Sequence, residues 1–420
     1  MDDVKKILAA LVLSVICGVA TPMLPAYYVS YVVGVYGFFG TLFLNALKCV
    51  IIPLVASSII SGVAGIGATK DLGSMGLKTF LYYTATSLLA VLTGVILVNV
   101  IAPGMVGDRS LREFIHLDEG TKLIEQVGNA DLSSVFNVFL EMVPPNIFSA
   151  AANGQMLGII SFSLIFGAFI PRIGHEYSDV LYKVFTGVHE IMMAITRLIM
   201  RFAPVGIFAL VAKVVAGAGV ENAVVLFKGL GLFFVTVVAG LFIHVFFTLS
   251  LVSYRVARRD PKTHMGHMAP ALITAFSTAS SSATLPMTME CLEKRAGVSE
   301  RVTGFVTPLG ATINMDGTAL YECVSALFIA QALGVQMGLL DQVIVVWVAL
   351  ITSIGVAGIP AASLVAIAVI LKSVGLPVEA MAIILPVDRF LDMLRTAVNV
   401  FSDSVGALFL EKMTSRSGSI

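Results

Sequence analysis

The sequence predicts an all-α integral membrane protein whose chain crosses the bilayer many times. Of its 420 residues, 58% are hydrophobic and only 12% are charged, and the mean hydropathy is +0.96. Soluble domains carry about a quarter of their residues as charges, so this chain has too few to cover a water-facing surface. Apolar stretches of about 18 residues or more, which are typical of membrane spans, recur from end to end. The net charge of zero gives no indication of nucleic acid as a partner.

Predominantly apolar segments in the first part of the chain are predicted to be spans. They are Ile7–Pro25, Ala26–Gly67, Thr79–Pro103, Met156–Ile170, Val180–Ala218 and Val224–Val256. Several are longer than the ~20 residues that a perpendicular helix needs, so tilted or bent helices are expected. Pro204 is expected to bend the fifth segment, because a proline disrupts helical hydrogen bonding.

Basic residues set the predicted orientation, since lysine and arginine are enriched in cytoplasmic loops. Basic clusters precede the first segment and follow every second segment, at Lys5–Lys6, Lys70, Arg172, Arg258–Arg259 and Lys294–Arg295. Placing these clusters in the cytoplasm makes the spans alternate and puts both termini inside. The polar stretch Gly107–Asn153 then lies outside the cell.

Two apolar stretches are predicted to form re-entrant hairpins. The stretch between Lys262 and Lys294 has both ends in the cytoplasm, yet its ~30 residues are too few for two crossings, which need ~40. Its serine-rich middle, Phe276–Pro286, is predicted to be non-helical. The second stretch, about Leu339–Leu376, contains a glycine- and proline-rich middle and is predicted to enter from outside. Each is followed by a span with central polar residues, and such inverted repeats are typical of transporters.

The last span is predicted to carry a polar stripe along one side of an apolar helix. It begins near Pro377, and its polar positions fall within an arc of roughly 100°. These positions, which we call the polar stripe, are Asp388, Asp392, Arg395, Thr396, Asn399 and Asp403. Ionisable residues inside a membrane are costly and mark functional sites. The alternatives are a helix lying flat on the membrane and a structural salt-bridge seam.

Acids outnumber bases around the polar stripe. Asp316, beside a predicted glycine break at Asn314–Thr318, joins the acids of the stripe, and Arg395 is the cation among them. Arg389 lies at the edge, where it is expected to offset Asp388. About two or three buried carboxylates would remain uncompensated, and burial penalises them strongly unless protons or cations bind. The ligands are hard oxygens without histidine or cysteine, which favours a hard ion over zinc or copper.

Arg395 and Asp392 together indicate an acidic amino acid as the ligand. A guanidinium pairs with carboxylates bidentately, and Asp392, one turn earlier, is placed to bind an ammonium. The alternative is an internal Arg395–Asp392 pair that binds no ligand.

Four motifs resemble the dicarboxylate/amino acid:cation symporter family, which includes archaeal aspartate and mammalian glutamate transporters. They are Ser280–Pro286, Gly310–Leu320, Ser353–Pro360 and Asp388–Asp403. The resemblance implies eight transmembrane helices plus two re-entrant helical hairpins, assembled as a homotrimer, with the second hairpin as the outer gate. It implies a fixed scaffold from residues 1–70 and 104–220, and an elevator-like transport domain from residues 71–103 and 221–420.

The resemblance also assigns residues to one substrate site and three sodium sites. Arg395 would hold the substrate side-chain carboxylate and Asp392 the amino group. Thr318, Asn399, Ser281, Ser282 and Thr396 would complete the substrate site, with the backbone at Val356, Gly358 and Ile359. The first sodium site comprises Gly310, Asn314, Asn399 and Asp403. The second uses carbonyls of Thr312, Met315, Ser353, Ile354 and Val356. The third comprises Tyr83, Thr86, Ser87, Asn314 and Asp316.

Four positions bear on how far this resemblance extends. Glu322 matches a glutamate that mammalian glutamate transporters link to proton coupling, which leaves proton coupling open here. Ala279 and Met393 stand where relatives carry a second arginine, which puts potassium countertransport in doubt. Ser402 replaces a glycine usual in relatives, and an altered first sodium site is expected from it.

The leading prediction is sodium-coupled symport of aspartate or glutamate by a carrier that is not an enzyme and uses no cofactor. A neutral amino-acid exchanger is disfavoured by Arg395, and a C4-dicarboxylate carrier by Asp392. An ion channel along the polar seam is an alternative from another class. A membrane-embedded hydrolase with Ser280–Ser282 as nucleophile would need a histidine or lysine base, and His189 and His244 have no evident partner.

The predicted location is a plasma membrane, or the inner membrane of a bacterium, because the external loop lacks a glycosylation sequon. The expected partners are the lipid bilayer, sodium ions, a small acidic amino acid and two further copies of the chain.

Overall fold

The computed structural model describes residues 2–67, 73–106, 109–111, 140, 142–153, 155–355 and 362–417. Its helices are α1 (Asp2–Ala20), α2 (Ala26–Gly67), α3 (Gly73–Ile101), α4 (Ile147–Asn153), α5 (Met156–Phe169), α6 (His175–Arg201), α7 (Ala203–Ile243), α8 (Pro261–Thr278), α9 (Ser281–Cys291), α10 (Glu300–Ile313), α11 (Asp316–Ala332), α12 (Leu339–Gly355), α13 (Ala362–Ser373) and α14 (Leu385–Ser417). Two short strands, β1 (Met105–Val106) and β2 (Arg109–Ser110), pair antiparallel. The described part is thus helical apart from this small hairpin, as predicted.

Within the residues that the structure describes, three helical stretches are long and apolar enough by themselves to cross a membrane. They are Tyr27–Ala46, Met75–Ile101 and Val224–Ala257, and a bent pair formed by α6 and the first part of α7 counts as a fourth. The other predicted spans fall on helices that are shorter, like α5, or interrupted by polar residues, like α14. The total of eight spans therefore stays a prediction.

The bend predicted at Pro204 is confirmed. The axes of α6 and Ala203–Gly217 meet at 54°, and the break falls at Phe202. Pro204 lies in the first turn of α7, where its missing N–H costs no hydrogen bond.

The fifth and sixth predicted segments are joined by helical backbone, which continues from Ala203 through residues 218–223 to Ile243. That stretch contains glycine but no proline, and a glycine weakens a helix by only about 1 kcal/mol. Beyond Ile243 the helix continues through π-helical turns at His244–Leu249 and Ser253–Ala257.

The first predicted hairpin is a pair of packed helices, α8 and α9. The non-helical part is far shorter than Phe276–Pro286, which corrects the prediction. Only Ala279, with φ of 51°, and Ser280 interrupt the helices. The Ser280 hydroxyl accepts a hydrogen bond from the Ala283 N–H at 3.2 Å, so the serine run caps α9 and lets it continue.

The exposed start of this hairpin is capped as well. Asp260 precedes α8, and its carboxylate accepts hydrogen bonds from the side chain of Thr263 at 2.6 Å and from its backbone N–H at 2.8 Å. These hydrogen bonds favour the ionised form and lower the pKa of Asp260 below its usual value.

The second predicted hairpin consists of α12 and α13, which pack against each other. Residues 356–361, which connect the two helices, lie outside the described residues. The predicted backbone ligands Val356, Gly358 and Ile359 therefore lie there too.

The helix break ahead of α11 lies at Asn314–Met315 rather than at Gly317. Gly317 is inside α11, and a Cβ atom there would lie 2.9 Å from the Arg395 carbonyl oxygen. Gly317 therefore allows α11 to pack closely against α14 and does not mark the helix break, which corrects the sequence-based prediction.

The centre of the molecule is formed by α11 and α14. Residues 316–330 of α11 are all buried, and the helix packs against α3, α7, α12 and α14. The polar stripe of α14 is buried as well: the exposed fraction is 6% for Asp388, 1% for Arg395 and 2% for Asp403. This burial rules out a helix lying flat on the membrane with its charges in water.

Candidate functional site

Arg395 is the centre of the candidate substrate site. Its guanidinium carbon lies 3.9 Å from the centroid of the Tyr321 ring, which provides a cation–π contact. Its Nη2 donates to Asp392 Oδ1 at 2.7 Å and lies 3.6 Å from Asp388 Oδ1, while Nη1 donates to the Ser363 hydroxyl at 2.6 Å. The Nε atom has no hydrogen-bond partner within the described residues. Because a guanidinium has five N–H donors, Arg395 retains the capacity to bind a carboxylate.

The internal Arg395–Asp392 pair considered as an alternative is present in the structure. It is part of a larger cluster, since Arg389 Nη1 donates to Asp392 Oδ2 at 3.3 Å and the Tyr321 hydroxyl donates to Asp388 Oδ1 at 2.8 Å. Arg389 thus forms its ion pair with Asp392, one helical turn away, rather than with neighbouring Asp388. Two arginines face two aspartates here, so this part of the stripe is balanced in charge.

Asn399 and Thr318 join α14 to α11 by hydrogen bonds, one helical turn from Arg395. The Asn399 Nδ2 donates to Thr318 Oγ1 at 3.1 Å, and its Oδ1 accepts from the Gly317 N–H at 2.8 Å. Thr396 donates to the Asp392 carbonyl at 2.8 Å, so its hydroxyl is engaged within its own helix. The structure therefore brings Thr318 and Asn399 together with Arg395 and Asp392.

The serines of the first hairpin lie at the start of α9, which packs against α14. Ser281 is buried and Ser282 is exposed. Their predicted role at the substrate remains a prediction.

Asp403 has a different environment from the other stripe acids. Its Oδ1 accepts from Asn314 Nδ2 at 2.8 Å, and among the described residues no basic side chain lies within ion-pair distance of it. A Cβ atom on Gly310 would lie 2.3 Å from the same carboxylate oxygen. Asn314 Oδ1, which is buried, lacks a partner in the part of the chain described. Gly310, Asn314 and Asp403 thus lie together, with the Asn314 amide N–H facing the carboxylate, whereas Asn399 turns its amide to Gly317 and Thr318. Their role at a sodium ion stays a prediction.

Residues of the second predicted sodium site lie at two helix ends, where backbone carbonyls are left without helical partners. Thr312 and Met315 flank the α10–α11 break, and Ser353 and Ile354 lie in the last turn of α12. A cavity of about 20 Å³ between α3, α10 and α12 is lined by Tyr83, Thr84, Ser87, Ile313, Leu350 and Ser353. Thr312, Met315 and Ile354 are not among its lining residues, so the second sodium site stays a prediction.

The residues of the third predicted sodium site are only partly together. Thr86 and Ser87 donate to Asp316 Oδ1 at 3.3 and 2.6 Å. The other oxygen, Oδ2, is 3.0 Å from His244 Nε2 and accepts from the Ser402 hydroxyl at 2.6 Å. The remaining members of the predicted set are turned elsewhere: the Tyr83 hydroxyl donates to the Val306 carbonyl and the Asn314 amide to Asp403.

His244 and Ser402 are the residues that sequence reasoning misjudged. His244 was left without a partner, although it contacts Asp316, and the contact of Ser402 with Asp316 was not foreseen. The expected effect of Ser402 on the first sodium site stays a prediction. A histidine inside an apolar span is itself the signal that could have revealed the pair, because buried ionisable groups need partners.

Glu322, the candidate proton carrier, is fully buried on α11, one turn beyond Thr318. Its Oε2 accepts from the Thr352 hydroxyl of α12 at 3.2 Å. Its Oε1 has no partner among the residues described. Oε1 of Glu322 is therefore available to carry a proton. The protonated carboxyl is neutral, so no other charge needs to move when the proton binds.

The hydrolase alternative gains no support from the described histidines. His264 pairs with the Ser404 hydroxyl at 2.9 Å and His244 with Asp316. His189 lines a cavity of about 340 Å³ between α2, α6 and α10, which includes no residue of the polar stripe. Ser280, moreover, is engaged as a helix cap.

The chain matches known transport proteins over nearly its whole length. Residues 4–413 match the model of the sodium:dicarboxylate symporter family. The chain is 35% identical to the proton/glutamate-aspartate symporter of Escherichia coli over 89% of this chain and 84% of that protein. It is 36% identical to a proton/sodium-glutamate symport protein of Geobacillus stearothermophilus, covering 89% and 86%, and 35% identical to excitatory amino acid transporter 4 of Mus musculus, covering 96% and 82%. The chain, with its buried arginine and carboxylates on α14, therefore belongs to the sodium:dicarboxylate symporter family.

Proposed function

We propose that this protein is a sodium-coupled secondary symporter of acidic amino acids, aspartate or glutamate. The observation that carries the proposal is Arg395, a buried guanidinium with unused donors beside Asp392. The names of the relatives support it, since they are called glutamate, aspartate or excitatory amino acid carriers.

Binding of the substrate follows from the chemistry of the cluster around Arg395. The substrate side-chain carboxylate binds the free Nε–H and shares Nη2, the amino group on the same edge of the guanidinium, with Asp392, which gives the bidentate geometry that arginine favours. The substrate ammonium binds Asp392, whose other partner is Arg389. Thr318 and Asn399 supply neutral hydrogen bonds to the backbone carboxylate, together with Ser281, Ser282, Thr396 and the backbone at 356–359.

Coupling to sodium follows from the uncompensated charge of Asp403. A buried carboxylate without a cationic partner is strongly destabilising, and the first sodium site, at Gly310, Asn314 and Asp403, removes that penalty when sodium binds. The second site, at the ends of α10 and α12, closes only when those helix ends approach. Sodium binding thus stabilises the arrangement in which the substrate is held.

The finer architecture belongs to the same proposal. Eight spans and two re-entrant hairpins, inserted in the plasma membrane with both termini in the cytoplasm, form a transport domain that moves against a trimeric scaffold. The family membership and the three helices that qualify as spans support it. The short, capped break of the first hairpin supports its placement at membrane depth, because few backbone groups are left unsatisfied there.

The proposal is tested by uptake into proteoliposomes that contain the purified protein. Labelled aspartate, glutamate, alanine and succinate are offered with and without an inward sodium gradient. We expect concentrative uptake of aspartate or glutamate that requires the gradient. If alanine is taken up faster than the acidic amino acids, the protein is a neutral exchanger. If succinate is taken up fastest, it is a C4-dicarboxylate carrier. Uptake indifferent to sodium would contradict the proposal.

Glu322 provides a separate prediction on proton coupling. If the buried carboxyl carries a proton with the substrate, Glu322→Gln removes the proton site while it preserves the hydrogen bond to Thr352. We expect that an inward pH gradient stimulates wild-type uptake and leaves uptake by the variant unchanged, at a constant sodium gradient. Thr352→Val, which removes the donor but keeps the carboxyl, is the matched control and should retain the response to pH. Equal stimulation of wild type and Glu322→Gln would exclude Glu322 as the carrier.

A further inference from the structure

The Asp316 carboxylate is surrounded by donors from three different polypeptide segments. Thr86 and Ser87 come from α3, His244 from the π-helical turn that follows α7, and Ser402 from α14. All five side chains are buried, and Asp316, His244 and Ser402 have no exposed surface. His244 Nε2 faces the Asp316 carboxylate at 3.0 Å, and because an ionised carboxylate only accepts hydrogen bonds, we assign the hydrogen to Nε2.

These contacts occupy Oδ2 of the carboxylate on both of its lone-pair positions, because His244 and Ser402 both face that oxygen. Oδ1 accepts from Ser87, while the single hydroxyl hydrogen of Thr86, 3.3 Å from Oδ1, also faces the Tyr82 and Tyr83 carbonyls at 3.2 Å. The closest contacts, from Ser87 and Ser402, are 2.6 Å long, as expected for hydroxyl donors to a carboxylate. A sodium ion binds the same lone pairs, so it must expel His244 or Ser402 to reach Oδ2.

The donor that blocks the site is held in place by the backbone. His244 begins a π-helical turn, His244–Leu249, and such turns insert an additional residue that re-aims neighbouring side chains. The imidazole therefore fills the space beside Oδ2, while Ser402, next to Asp403 in sequence, covers the same oxygen from α14. The small cavity near Ser353 does not include Asp316 among its lining residues.

We infer that His244 and Ser402 close the third sodium site, so that transport in this protein is coupled to sodium only at the first and second sites. The inference rests on the proposed function, because it takes the sodium sites of that proposal as its reference. Asp316 becomes a structural group that joins α3, α7, α11 and α14, with protein donors in place of an ion.

The test counts bound sodium on the purified protein, without substrate, by equilibrium binding of radioactive sodium. The double variant His244→Ala/Ser402→Gly removes both donors from Oδ2 and adds no bulk. We expect it to bind one more sodium ion per chain than the wild type. Adding Asp316→Asn to the double variant should remove that ion again. In the wild-type background Asp316→Asn should leave the sodium count unchanged.

Two results would overturn the inference: loss of one ion from the wild type on Asp316→Asn, or a double variant with the wild-type count. Ser87→Ala is a second variant for the same measurement, since it removes another predicted ligand with little change in volume. In the wild-type background it should likewise leave the number of bound sodium ions unchanged. Gel filtration and thermal unfolding confirm that each variant is folded before it is counted. If the proposed function is wrong, the proteoliposome assay shows uptake that is independent of sodium. The comparison of sodium counts between the variants can still be interpreted in that case.

Discussion

Replacing Arg395 with cysteine should lower the affinity for aspartate and glutamate by about 30-fold or more. The guanidinium is almost completely buried, with an exposed fraction of 1%, so water cannot replace its interaction with a substrate carboxylate. Removing one partner of a buried, hydrogen-bonded charge pair costs about 2–5 kcal/mol, and each 1.4 kcal/mol changes affinity about tenfold. Competition of unlabelled amino acids with labelled aspartate measures the loss.

Arg395→Lys is the matched variant, because it keeps the positive charge near Asp388 and Asp392 but loses the planar fork. We expect it to bind aspartate better than Arg395→Cys and worse than the wild type. The cysteine variant should retain or gain uptake of alanine or serine, which need no cation at this position. Unchanged aspartate affinity in Arg395→Cys would remove Arg395 from the substrate site.

The polar stripe was predictable from sequence because helical periodicity alone determines which residues share a face. Asp388, Asp392 and Arg395 indeed converge, as residues three, four or seven positions apart on a helix must. Which acid pairs with which base was not predictable. Arg389 is adjacent to Asp388 in sequence, but its side chain reaches Asp392, one turn later. Sequence adjacency places side chains about 100° apart around a helix, which favours the pair one turn away.

Contacts between residues that are far apart in the sequence were harder to predict. Periodicity carries no information about which residue of one helix faces which residue of another. His244 and Asp316 are separated by 71 intervening positions, and their contact arises from a π-helical turn that periodicity does not reveal. The contact of Ser402 with Asp316 was missed for the same reason: neighbouring Asp403 points to Asn314, while Ser402 points to Asp316.

Glycine positions were informative, but their meaning depends on the neighbouring helix. Gly317 suggested a break, yet it is a helical residue whose missing side chain admits the Arg395 carbonyl. The break lies at Asn314–Met315, where Asn314 has φ −90° and ψ 94°, an extended conformation open to any residue. Sequence patterns identify where a helix is weak, whereas tertiary packing decides whether it breaks.

Asp403→Asn should weaken sodium binding by about 100-fold or more while it leaves the protein folded. The asparagine still accepts the hydrogen bond from Asn314 Nδ2, so the packing of α10 against α14 is preserved. What is lost is the negative charge. Two unit charges about 4 Å apart interact by about 4 kcal/mol at an effective dielectric constant of 20, and the first sodium site has no other charged ligand. The sodium concentration for half-maximal aspartate uptake measures the change.

Gly310→Ala tests the same site through geometry, with the charge intact. Its Cβ atom would lie 2.3 Å from Asp403 Oδ1 and 2.6 Å from the Tyr83 hydroxyl, so the carboxylate must move away from the backbone of α10. We expect sodium affinity to fall at least about tenfold, which is about 1.4 kcal/mol. Gly304→Ala on the same helix is the matched control, because its Cβ atom would meet nothing within 4 Å. If both alanine variants behave alike, the effect belongs to the helix, and the first sodium site is not formed by the approach of Asp403 to Gly310.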